Sequence, residues 1–135
     1  MASDEENPGG ADGKRARSYK DLLVWQKGME LAAEVYRLTR HFPNEEKFGP
    51  DSQMRRAVVS IPSNIAEGQA RHTTKEFVQF VSHAEGSVAE LETQLILAVD
   101  LNYCARGGAE KAFGLNSDLR NMLNALRRAL TRARG

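Results

Sequence analysis

The chain has 135 residues, 41% hydrophobic and 27% charged, with a formal charge of +1. That is enough to bury the core of one globular domain without disulfides or metal. The single cysteine, Cys104, excludes an internal disulfide framework and a multi-cysteine zinc site, and it fits a reducing compartment.

The near-zero charge hides an asymmetry. Asp4, Glu5, Glu6 and Asp12 sit in a first stretch, Met1–Gly13, that has no Lys or Arg; without those four acids the remainder is +5. This is mildly basic, weaker than the footprint of a dedicated nucleic-acid binder. The longest apolar run, Leu95–Val99, is far short of the roughly 20 residues a membrane span needs. Residues Met1–Gly10 have neither the basic nor the apolar region of a signal peptide, so a cytoplasmic location is expected.

Residues 1–17 have no large apolar side chain after Met1 and cannot bury enough surface to offset their ordering entropy; a disordered tail is expected. It closes on the basic cluster Lys14, Arg15 and Arg17, for which solvated charge and phosphate contact are the competing readings. Residues 18–135 read as four helices. The first is predicted over about 19–41, opened by the capping signal Ser18-Tyr-Lys-Asp21 and stopped by Phe42-Pro43. It carries two apolar rows: Leu22, Trp25, Met29, Ala32 or Ala33 and Tyr36, beside Val24, Leu31, Val35, Leu38 and Phe42. Two rows exceed what one neighbouring helix covers, so this helix is either central or shared with a partner chain.

A second helix is predicted over about 52–68, with Met54, Val58, Ile61 and Ile65 inward, a kink at Pro62 and Gly68 at its end. The third runs over about 74–103, with Phe77, Val81, Ala84, Val88, Leu91, Leu95 and Ala98 on one face. Gly86 costs up to about 1 kcal/mol against alanine mid-helix, which suggests a close helix–helix approach there. Arg106-Gly-Gly108 reads as an open turn. The fourth helix, about 109–132, turns Leu115, Leu119, Met122, Leu126, Leu130 and Ala133 inward, with a break conceivable at Gly114-Leu-Asn116. No strand-period alternation and no repeat appears. The expected fold is all-α, an up-down-up-down four-helix bundle.

Three residue sets could carry chemistry. Glu67, Glu85, Glu90 and Glu92 lack the Glu-x-x-His spacing of a di-iron bundle, and neither Ser87 nor Cys104 comes with a motif supplying a base. No catalytic residue, metal or cofactor is therefore expected. Arg55, Arg56, Asn64, Glu67, Ser87 and Glu90 could form a polar network between helices two and three that sets their register; a binding pocket is the competing reading. Arg120, Arg127, Arg128, Arg132 and Arg134, joined with Lys14, Arg15, Arg17 and Lys20, form a candidate phosphate-binding surface, against the reading of a solvated face. Aromatic residues for base stacking are missing past Tyr103 except Phe113.

Several runs together resemble one known family: Asp21-Leu-Leu-Val-Trp-Gln-Lys27, Phe42-Pro43, Ser52-Gln-Met-Arg-Arg56, Ser60-Ile-Pro-Ser-Asn-Ile-Ala-Glu-Gly68, Glu76-Phe77 and Ala84-Glu-Gly-Ser-Val-Ala-Glu-Leu-Glu92. They resemble the bacterial 23S rRNA intervening-sequence proteins over about Tyr19–Tyr103. The resemblance implies a four-helix bundle that assembles as a ring, typically a homopentamer. It supplies no catalytic residues. Some relatives look like the accessory protein of diversity-generating retroelements, which binds a reverse transcriptase and nucleic acid. The expectation is a non-enzymatic oligomer that binds RNA or an RNA-associated protein through a basic surface and has no membrane partner. A purely structural or protein-interaction scaffold and a reverse-transcriptase accessory subunit are the alternatives.

Overall fold

A computed structural model describes residues 18–43 and 49–134, and among them every regular element is helical. The four α-helices are α1 (Leu23–Thr39), α2 (Pro50–Gln69), α3 (Thr74–Asp100) and α4 (Arg106–Arg134). Each packs against two others, in the cycle α1–α2–α3–α4–α1. Contacts run antiparallel at each step: Gly28 meets Pro62 while Arg55 reaches Thr39, and Ser60 meets Ser87 while Gly68 meets Phe80. Arg127 and Arg120 reach Glu85 and Glu92 in the reverse order. The four helices thus form an up-and-down bundle, and the predicted inward faces of α2 and α3 lie in its core with Leu31 and Val35 of α1 and Leu115, Leu119 and Leu123 of α4. The expected tail at 1–17 lies outside the described residues.

Helix boundaries differ from the sequence expectation for local reasons. Ser18 does cap, accepting from the Lys20 amide at 3.1 Å, but it caps a separate 3-10 turn, Tyr19–Asp21. Leu22 is extended (φ −79°, ψ 127°), so α1 begins only at Leu23. The Gln26 side chain ties the turn back by donating to the Lys20 carbonyl at 2.8 Å. At the other end of α1, Phe42 is buried and packs on Tyr103 with ring centroids 5.6 Å apart. α3 stops at Asp100, short of Tyr103, because Asn102 takes the left-handed conformation (φ 63°) and the Tyr103 amide turns back to the Ala98 carbonyl at 2.8 Å.

Glycine roles change most. α2 stays helical through Pro62 and past Gly68 to Gln69. Gly68 is no terminator; a Cβ there would stand 2.7 Å from Phe80 Cβ, so the α2–α3 approach depends on its missing side chain. Gly86 is the reverse: it is exposed, and a Cβ would meet nothing within 4 Å. The close approach expected at Gly86 therefore belongs to Gly68. Arg106-Gly-Gly108 is the first turn of α4, not an open turn, and Gly114–Asn116 continues the helix unbroken. Burial of Ala109 and Ala112 and the Arg106 guanidinium 4.3 Å over the Phe113 ring anchor that first turn.

Candidate functional site

The polar set proposed between α2 and α3 divides. Across the seam, the Ser60 and Ser87 hydroxyls are hydrogen-bonded at 2.5 Å, and Asn64 joins them only through the Ser60 carbonyl, donating at 2.8 Å. Glu67 pairs with Arg71 at 3.0 Å and Glu90 accepts from Gln94 at 3.3 Å, so neither spans the seam. Arg55 turns the other way, to α1: its Nε donates to Thr39 Oγ1 at 2.8 Å and its guanidinium lies 4.6 Å from the centre of the Tyr36 ring. Arg56 is exposed and has no ion-pair or hydrogen-bond partner among the described residues. Together with Tyr36, Asp51, Ser52 and Val59, both arginines line an open cleft of about 460 Å³. Of the six residues, Ser87 bonds across the seam to Ser60, Asn64 bonds within α2, Glu67 and Glu90 pair locally, Arg55 clamps α2 to α1 and Arg56 stands free among the described residues.

The arginine row of α4 also divides. Arg120 Nη1 lies 2.9 Å from Glu92 Oε1, and Arg127 Nε lies 2.8 Å from Glu85 Oε1. These two arginines tie α4 to α3. Arg128 and Arg132 are exposed and unpaired among the described residues. The side chain of Arg134 and all of Lys14, Arg15 and Arg17 lie outside the described residues. The sequence does hold a signal for the split: Glu85 and Glu92 repeat at the same spacing as Arg120 and Arg127, which suits two antiparallel helices.

α1 also carries an ion pair between a buried carboxylate, Glu34, and an exposed guanidinium, Arg37. Glu34 is only 6% exposed, and both its carboxylate oxygens accept from Arg37 on the next turn of α1. The Arg37 hydrogen bond holds its carboxyl below the ordinary range; burial opposes this, and the charges of Arg37 and Lys111 add to it. The signal was its place in the inward row, between Leu31 and Leu38, with an arginine three residues on. Burial pushes the Cys104 thiol up, away from the thiolate a nucleophile requires. Among the described residues no three His, Cys, Asp or Glu side chains are grouped to hold a metal ion.

The two rows of α1 have different fates. Leu31 and Val35 of one row are fully buried, whereas Met29 (46%) and Tyr36 (42%) of the other are exposed, beside Val59 (43%) of α2. Tyr19, Trp25, Met29, Val59, Pro62 and Ala66 border an open, mainly apolar groove of about 340 Å³. Pro62 is its floor, and its ring lies 3.4 Å from where a Cβ on Gly28 would stand, so the two small or rigid residues bring α1 and α2 close under the groove.

Fold and surface define a class: an up-and-down helical bundle with an apolar outer stripe and a charged outer helix. The profile of the 23S rRNA-intervening sequence proteins matches residues 20–125, and the chain belongs to that family. A similar solved structure is a protein of unknown function from the S23 ribosomal protein family of Bacteroides thetaiotaomicron. It is 24% identical, with a TM-score of 0.73, over 78% of this chain and 98% of that one. At that identity the likeness shows the fold alone. No curated protein matches the sequence. No described helix is long and apolar enough to cross a membrane.

Proposed function

We propose that this chain is a non-enzymatic, cytoplasmic subunit that self-associates through the outer faces of α1 and α2 and binds RNA or an RNA-associated protein through a basic surface. The carrying observation is that Met29 and Tyr36, with Val59, are exposed next to a row that is buried. Apolar side chains aligned along a groove rather than scattered singly are what an interaction face presents. A second copy of the chain is the occupant we assign, and the family resemblance makes a homopentameric ring the expected assembly. Exposed Arg128 and Arg132 supply guanidinium forks free to grip phosphate.

Two measurements test this. Native mass spectrometry should give a multiple of the 15.0 kDa chain mass, five copies on the ring expectation; a monomer contradicts it. RNA binding should weaken steeply as salt rises, because phosphate contacts release counterions. No binding at low salt leaves the scaffold reading instead.

A further inference from the structure

Three elements deliver unpaired positive charge to one end of the bundle. The antiparallel contacts described above place the 3-10 turn before α1, the α2–α3 turn and the last turns of α4 together there. Their exposed basic side chains are Lys20, His72, Lys75, Arg128 and Arg132. None of these has an ion-pair partner among the described residues. Arg71 belongs to the same end but is occupied: it pairs with Glu67 and lies 4.8 Å over the Phe80 ring. Exposed Asp21 and Glu76 are the opposing charges, and four full cations outweigh them. At the opposite end, among the described residues, Asp51, Asp100 and Glu110 face Arg40, Arg56, Arg106 and Lys111, while Arg55 is held by Thr39 and Tyr36.

From this the geometry points to that end, and not the length of α4, as the docking surface for the phosphate backbone of a double-helical nucleic acid. The proposal rests on the nucleic-acid reading above and says where and in what form the ligand is held. Packed helices lie about 8–10 Å apart, so cations shared among three elements span on the order of 15–20 Å. That is too wide for one small anion and suits several phosphates in succession. A duplex is favoured over an unpaired strand because the aromatic rings at this end are engaged. Tyr19 stands edge-on to Trp25 at 5.4 Å, and Phe80 sits between Arg71 and the His83 ring, 5.7 Å away. Stacking unpaired bases needs free rings, whereas a duplex gripped by its backbone needs none.

The test is a salt titration of the full chain with a duplex RNA, a duplex DNA of the same sequence and one unpaired RNA strand. Lys20→Gln, Lys75→Gln, Arg128→Gln and Arg132→Gln combined should flatten the log–log salt slope for duplex by about 3 to 4 and weaken low-salt binding roughly hundredfold. Lys75→Gln and Arg132→Gln taken singly should each flatten it by about 1, which keeps the test decisive if the combined variant misfolds. Arg120→Gln with Arg127→Gln should leave the slope nearly unchanged, since Glu92 and Glu85 already hold those side chains. Equal affinity for both duplexes supports recognition of backbone charge, and a preference for RNA supports recognition of A-form spacing as well. If the wild type binds duplex and the end variants bind equally well, this location is wrong while the nucleic-acid reading stands. Tighter binding of the unpaired strand overturns the duplex assignment, and no binding of any nucleic acid overturns both.

Discussion

The two flanks of α2 are built to opposite ends. Toward α3 the seam is closed: Gly68 admits Phe80 at a distance no Cβ would tolerate, Ser60 and Ser87 bond across it, and Ile61 and Ile65 are fully buried. Toward the outside of α1 the surface is open, with Val59, Met29 and Tyr36 left half in solvent beside Pro62. Both flanks are apolar in composition, so hydrophobicity alone does not separate them. What separates them is whether a partner helix of the same chain arrives to cover the row. The closed flank stabilises the protomer, and the open flank is the part a second chain can complete.

Substitutions should respect that division. Ile65→Ala, on the closed flank, should cost about 2–5 kcal/mol in chemical denaturation by transfer and cavity terms together. Val59→Ala, on the open flank, should change protomer stability by less than about 0.5 kcal/mol and act instead on the concentration dependence of unfolding. Equal losses at both positions would erase the distinction. Next in size, Gly68→Ala should cost about 1–3 kcal/mol, because the methyl group would meet the Phe80 Cβ and not the free end of a flexible side chain. Gly86→Ala should do the reverse and stabilise by up to about 1 kcal/mol, since the new methyl has open space and the helix loses a flexible residue. The smallest effect is a pH dependence. The Glu34 carboxyl is held low in the fold, so its contribution is full above the unfolded carboxylate range, near 4.3, and is lost as pH falls through the lower folded value. Glu34→Gln should remove that part of the acid sensitivity, which a series of melts below neutral pH would read.

Much of this architecture is legible in the sequence because helical periodicity is a local property. The inward rows of α2 and α3 follow directly from residues three and four apart, as do the two rows of α1. The roles of the glycines and arginines depend on azimuth between helices, which no single period contains. A mid-helix glycine costs the same wherever it sits, so Gly86 and Gly68 look alike until the neighbour of each is known. Arg106-Gly-Gly108 has turn composition, yet Ala109 and Ala112 just beyond it are buried and carry the helix back over the glycines. Arginines on α4 read as one basic face because their partners, Glu85 and Glu92, lie 42 and 28 residues away in sequence. Polar residues of the Ser60–Gly68 run suggested a single network for the same reason: their types are evident, but the helix each one faces is not.

Self-association through the open flank of α1 and α2 is the claim on which the functional reading stands. Native mass spectrometry of Met29→Glu combined with Val59→Glu, compared with the wild type, tests it most directly. Two carboxylates placed in that apolar stripe should leave the helical content intact and return the assembly to the 15.0 kDa monomer. An assembly of unchanged mass in the double variant would contradict the account and move the interface to another face.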